Sequence, residues 1–250
     1  MGGVHLGYDG SSRRLNWAEI RPGWILALFI FLGWLVGVAG DAVTICPPSL
    51  STSFCDTATN YLAQNNGLVV YYHTYWQIFS STLVTDSILD AAFNALAVLI
   101  LDRFIEGSFN KSRYFLVFIL TATLGNVLTL LEGPMYLSAG ASGGIFGLFA
   151  ATFSYTWAAE RKIDGPTLGF FLVLFVGSSF ILPNINWVAH LGGALGGFAA
   201  GPLLYRSVKE RAIRFENVST SKLSTNVSSI LFIGLIVLLS ATQFFLFAWR

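Results

Sequence analysis

The chain has 250 residues, of which 54% are hydrophobic and only 11% charged, with a formal net charge of +1. A soluble globular domain carries about 25% charged residues, so this composition excludes one. The charge balance gives no basis for binding nucleic acid or steering an acidic substrate, and the partner it does imply is the lipid bilayer.

Taken in chain order, seven apolar spans stand out: Trp24 to Ala39, Leu83 to Leu101, Tyr114 to Leu131, Ala139 to Ala159, Thr167 to Leu182, Trp187 to Tyr205 and Ile230 to Trp249. Most approach the roughly 20 residues that a helix needs to cross a bilayer, the first and fifth being shorter. With seven crossings, Arg13, Arg14, Arg21, Arg103, Lys111, Arg113, Arg161, Lys162, Arg206, Lys209, Arg211, Arg214 and Lys222 all fall on one face, leaving Arg250 on the other. Basic loops stay in the cytoplasm, so the expected topology has a cytoplasmic N-terminus and an external C-terminus, with the plasma membrane the favoured location. The first twenty residues contain no apolar core, so span 1 is expected to act as the insertion signal.

The sequence divides into a cytoplasmic N-terminal segment (1–21), a six-helix core (22–205) with an external loop (40–82), a polar cytoplasmic linker (206–228) and a last transmembrane helix (229–250). In the external loop Tyr61, Leu68 to Tyr72, Tyr75 and Trp76 are concentrated in the second half. Such residues suit the headgroup zone of the outer leaflet, the favoured reading, with a small core within the loop as the alternative. Cys46 and Cys55 lie in the same loop, where their spacing permits a disulfide or two free thiols. No internal repeat is visible, which counts against a transporter built from related halves.

Chemistry concentrates in two runs, Gly140-Ala141-Ser142-Gly143-Gly144 and Ala189-His190-Leu191-Gly192-Gly193-Ala194-Leu195-Gly196-Gly197. A serine and a histidine inside spanning segments are complementary halves of a nucleophile and its base, and polar groups there are functional candidates by default. Each stands about three residues into its span, roughly 5 Å deep at 1.5 Å per residue, so the two are expected to be level near the outer face. His190, Gly193, Gly197 and Gly201 form one helical stripe; Gly143 and Gly147 form another on span 4. Small residues allow close helix crossings, so spans 4 and 6 are expected to pack tightly together.

These motifs resemble those of the rhomboid intramembrane serine proteases: G-x-S-G with a further glycine, here Gly140, Ser142, Gly143 and Gly147, and A-H-x-x-G-x-x-x-G, here Ala189, His190, Gly193 and Gly197. The resemblance extends to Trp76, Asn94 and Glu106 and covers roughly residues 22–205. It implies an all-α polytopic membrane protein, a six-helix bundle plus one C-terminal transmembrane helix. It also implies a serine endopeptidase acting on single-span membrane proteins near the outer leaflet, with Ser142 as nucleophile and His190 as base. The Ser142 backbone N–H and the Asn94 amide would hold the oxyanion, and Phe146 and Trp76 would contact substrate. Neither a cofactor nor a metal is implied.

Two positions depart from the family pattern. Asp90 stands where many members have a histidine, and Phe146 where many have a tyrosine. They leave open a second reading, a catalytically inert protein of the same fold that binds transmembrane segments.

Overall fold

The computed structural model describes residues 20–40, 44–45, 56–85, 87–105, 110–161, 165–166, 169, 173 and 185–216. Cys46, Cys55, Glu106, the C-terminal helix expected over 229–250 and nearly all of the span expected over Thr167 to Leu182 lie outside the described residues.

Five long helices dominate: α1 (Pro22–Gly40), α5 (Ile88–Ile105), α6 (Lys111–Thr129), α7 (Ser142–Glu160) and α8 (Trp187–Glu216). Three short helices, α2 (Ala58–Leu62), α3 (Asn66–Tyr72) and α4 (Gln77–Ser80), fold the loop between α1 and α5. Two small antiparallel ladders complete the frame. Strand β1 (Thr44–Ile45) pairs with β2 (Asp56–Thr57), and β3 (Gln64–Asn65) pairs with β4 (Leu137–Ser138), Gln64 facing Ser138. The β3–β4 ladder joins the loop to the segment that runs into α7.

Three stretches among the described residues are long and apolar enough to cross a membrane: Pro22–Gly40, Lys111–Glu132 and Trp187–Lys209. The expected spans 2 and 4 are helical, as α5 and α7, but α5 carries Asp90, Asp102 and Arg103 and α7 opens on Ser-Gly-Gly. Leu28, Phe29, Leu96 and Leu195 point outward, as helices bathed in lipid require.

Local chemistry sets the helix ends. Asn110 caps α6, its side chain accepting from the Arg113 N–H at 2.9 Å, and the Ser87 hydroxyl accepts from the Asp90 N–H at the start of α5 at 3.2 Å. Span 2 was expected from Leu83, but Ser81–Leu83 is a 3-10 turn and Val84 is extended, so α5 begins only at Ile88. The stretch after Tyr205, expected as a linker, continues α8 through Glu216 with Pro202 inside the helix.

Helix α7 sits centrally, packed against α8 and α6, while α1 packs against α5. The core joins Leu26 and Ile30 of α1, Val98 and Leu101 of α5, Tyr114 and Phe118 of α6, Ile145, Leu148 and Phe149 of α7 and Leu204 of α8. Hydroxyls inside the bundle are satisfied locally: Thr121, Thr123, Thr129 and Thr152 each donate to the carbonyl four residues earlier.

Candidate functional site

Ser142 is the first residue of α7, and its start is set by tertiary contacts. Gly140 takes φ +124°, a conformation that disfavours any side chain, and its N–H donates to the Ser81 carbonyl at 2.8 Å. The serine was expected about three residues inside its span; the helix in fact begins on it. That difference has a chemical consequence. The first intrahelical bond runs from the Ile145 N–H to the Ala141 carbonyl, and no side chain caps the helix, so α7 begins at the serine with backbone N–H groups that have no intrahelical acceptor.

His190 is the fourth residue of α8. Its Nε2 lies 2.7 Å from Ser142 Oγ, within hydrogen-bond reach, and the residue is buried. The expected equal depth of the two side chains is therefore met. Phe146, one turn along α7 from Ser142, packs its ring on His190 with centroids 4.3 Å apart and planes inclined at 37°.

Glycine makes the approach possible. A Cβ at Gly193 would run into the backbone of Gly143, one at Gly197 into Gly147 and Ala150, and one at Gly201 into Ala151 and Ser154. The α8 stripe thus faces α7 along its length. The matching stripe on α7 is only partly as expected: a Cβ at Gly143 would touch the Ala189 carbonyl at 3.2 Å, but those at Gly144 and Gly147 would strike Phe118 and Thr121 of α6. Gly144 and Gly147 make room for α6.

Asn94, on α5, is buried, and among the described residues its Nδ2 has no hydrogen-bond partner. A buried amide donor left unmade costs on the order of 1–3 kcal/mol, which marks the position as one shaped by something other than stability. Asp90, one turn earlier, sits partly exposed with a carboxylate oxygen 3.0 Å from where a Gly140 side chain would begin. Trp76 precedes α4 and is 40% exposed; its ring packs on Tyr61, centroids 5.5 Å apart, rather than on the Ser142–His190 pair. Among the described residues, no three His, Cys, Asp or Glu side chains gather as a metal set.

The motifs do not single out Asn186, yet it stands beside the pair. Its Oδ1 accepts from the Ala189 N–H at 2.9 Å, and its Nδ2 donates to Thr129 Oγ1 at 2.8 Å and Ser138 Oγ at 2.7 Å. An asparagine just before an apolar helical run is a capping signal that sequence carries; its two other partners are not.

The loop between α1 and α5 also carries a buried polar core. Gln64 Nε2 donates to Asn66 Oδ1 and the Asn126 carbonyl, Asn66 Nδ2 to the carbonyls of Thr129 and Gly133, and Asn126 Nδ2 to the Ile78 carbonyl, Ser81 Oγ and Thr82 Oγ1. Beside it, Val69 and Ile78 cluster with Val127 of α6, while Tyr71, Tyr72 and Trp76 face outward.

Apolar helices that bring a half-buried serine against a buried histidine define an integral membrane protein with a polar pair on two abutting helices. A Rhomboid domain matches residues 72–207, more than half of the chain, and the chain belongs to the rhomboid family. It is 29% identical over 153 residues to rhomboid protease GluP of Bacillus subtilis, covering 60% of this chain and 30% of that protein. It is 31% identical over 165 residues to YdcA of the same bacterium, named provisionally as a rhomboid protease, covering 62% of this chain and 78% of that one. RHOMBOID-like protein 1 of Arabidopsis thaliana is 29% identical over 139 residues, covering 54% of this chain and 36% of its own length. The chain thus spans less than a third of GluP's length but most of YdcA's.

Proposed function

We propose that this chain is an intramembrane serine endopeptidase that cuts single-span membrane proteins near the outer leaflet. The observation that carries the reading is the 2.7 Å contact between Ser142 Oγ and His190 Nε2 across two helices. In this reading the six-helix core (22–205) carries the site, a seventh helix (229–250) follows it, the N-terminus is cytoplasmic and the C-terminus external.

Ser142 Oγ attacks the scissile carbonyl as His190 Nε2 takes its proton, giving a tetrahedral intermediate. The oxyanion is held by the Ser142 N–H at the start of α7 and by Asn94 Nδ2, both donors with no competing protein acceptor among the described residues. The intermediate collapses as the C–N bond breaks and His190 returns the proton to the leaving amine. Water then attacks the acyl ester with His190 again as base, releasing the acid and restoring Ser142. Phe146 packs on the imidazole and limits its rotation, so no aspartate is needed to orient it. A peptide bond in an intact helix is covered by its own backbone, so substrates are expected to carry small or helix-weakening residues near the cut. Contact of Trp76 with substrate is the least supported part of this assignment, because its ring is engaged with Tyr61.

The alternative, an inert member that binds transmembrane segments, draws on Asp90 beside Gly140 and on Phe146. Purified protein incubated with a fluorogenic membrane substrate and with a fluorophosphonate or isocoumarin probe decides between them. Cleavage and labelling by the wild type, lost in both Ser142→Ala and His190→Ala, are expected; wild-type protein that neither cleaves nor labels establishes the inert reading.

A further inference from the structure

We propose that Asn186 is a positioning residue that holds His190 at the level of Ser142, an inference that rests on the peptidase reading above. Its side chain makes hydrogen bonds in three directions. Oδ1 caps α8 at Ala189, the residue before the base, and the Asn186 backbone carbonyl accepts from the His190 N–H at 3.2 Å. The two Nδ2 hydrogens are spent on Thr129 at the end of α6 and Ser138 of β4. Each of those partners is itself fixed. Thr129 Oγ1 donates to the Gly125 carbonyl at 3.0 Å, and its own carbonyl accepts from Asn66 Nδ2 at 2.7 Å. Ser138 is paired in the ladder with Gln64, whose side chain is wholly buried and bonded to Asn66 and to the Asn126 carbonyl.

The topology gives this anchor its meaning. Ser138 lies four residues before Ser142, on the strand that leads through Gly140 into α7. One amide therefore clamps the first turn of the base-bearing helix to the segment that delivers the nucleophile. Glycine contacts fix the separation of α7 and α8, but a smooth stripe of small residues leaves sliding along the helix axes poorly opposed. A slide of 1 Å would tilt the 2.7 Å Ser142–His190 bond away from its alignment, and misplacement on that scale costs on the order of a hundredfold in rate. The Asn186 hydrogen bonds oppose that slide.

Capping and anchoring are separable, because a serine at the cap position still accepts from the helix N–H but is too short to reach both hydroxyls. Wild type, Asn186→Ser, Ser138→Ala and the double variant are reconstituted in liposomes with a fluorogenic transmembrane substrate, and kcat and KM are measured beside thermal unfolding. Expected are a fall in kcat of tenfold or more for Asn186→Ser with KM changed less than twofold, a smaller fall for Ser138→Ala, and a double variant no worse than Asn186→Ser. Asp102→Ala, whose side chain accepts from the Gly23 N–H at the far end of the bundle, provides a destabilised control with normal kcat per labelled molecule. The inference is overturned if Asn186→Ser keeps kcat within twofold of wild type, or if its loss equals the unfolded fraction, as for Asp102→Ala. Wild-type protein with no Ser142-dependent cleavage would instead sink the underlying peptidase reading. Should Asn186→Ser fail to fold, Thr129→Val joins Ser138→Ala, and unchanged kcat in both again overturns the inference.

Discussion

Gly193 and Gly196 lie three residues apart on α8, and replacing each with alanine is expected to give opposite results. Both changes gain up to about 1 kcal/mol of intrinsic helix preference. At Gly196 the added methyl meets Leu124 Cδ2 at 2.9 Å, the far end of a flexible side chain, and Thr121 Cγ2 at 3.3 Å, so a small rotamer shift absorbs it. At Gly193 it meets backbone: the Gly143 carbonyl oxygen is closer still than its carbon, which stands at 2.8 Å against the 3.4 Å where ordinary contact begins. Neither helix can yield locally, so α7 and α8 must separate by at least about 0.6 Å. The Ser142–His190 bond starts at 2.7 Å and passes the roughly 3.2 Å limit of useful hydrogen bonding. Overpacking of this kind costs about 1–3 kcal/mol, largely offset by the helix gain, so Gly193→Ala is expected to fold with its melting temperature lowered by only a few degrees. Its kcat is expected to fall tenfold to a hundredfold, whereas Gly196→Ala stays within twofold of wild type and melts no lower. The assay is cleavage of a reconstituted fluorogenic substrate, normalised to folded protein by thermal scan. A folded Gly193→Ala with kcat within threefold of wild type would refute the reasoning, as would equal damage from Gly196→Ala.

Asn94→Ala is expected to lower kcat by 10²–10³-fold with little loss of stability, since Nδ2 has no partner among the described residues to lose; a tenfold effect or less in the same cleavage assay would remove it from the oxyanion site. Asp90→Asn is expected to raise kcat several-fold, because a carboxylate beside Gly140 opposes the negative charge that develops on the oxyanion; an unchanged rate would mean that the charge does not reach the site. Asn126→Ala removes the donor to the Ile78 carbonyl, Ser81 and Thr82, and is expected to cost on the order of 2–3 kcal/mol in reversible unfolding and to expose the tyrosines of the loop to chymotrypsin; unaltered cleavage by chymotrypsin would contradict it.

The pair itself was legible because Ser142 and His190 are isolated polar groups in apolar surroundings, each flanked by glycines whose spacing repeats with the helix. Long apolar helices were legible for the same reason, and α1 runs Pro22–Gly40 against an expected Trp24 to Ala39. What failed to show was whatever depends on a partner distant in sequence. The start of α7 at Ser142 needs the Gly140 bond to Ser81, and nothing in the run Ala139 to Ser142 announces it. Gly147 reads as one stripe with Gly143, yet its Cβ direction points at α6, where Thr121 occupies the space. The burial of Gln64, Asn66 and Gln77 in the loop between α1 and α5 has no local signal either, because it depends on carbonyls of α6 and of the loop itself.

That buried polar core bears on how the proposed hydrolysis could be housed among apolar helices. Where solvent is excluded nothing satisfies a misplaced amide, so a loop rich in Asn and Gln can pack against helix ends only if its N–H donors find defined acceptors. The amide donors of Gln64, Asn66, Asn126 and Asn186 meet that demand with carbonyls and hydroxyls of α4, α6 and β4. The same bonds that make the loop compatible with its surroundings therefore also fix the segments carrying Ser142 and His190. An apolar loop core of equal volume would bury as much surface without specifying register, and register is what a 2.7 Å bond between two helices requires.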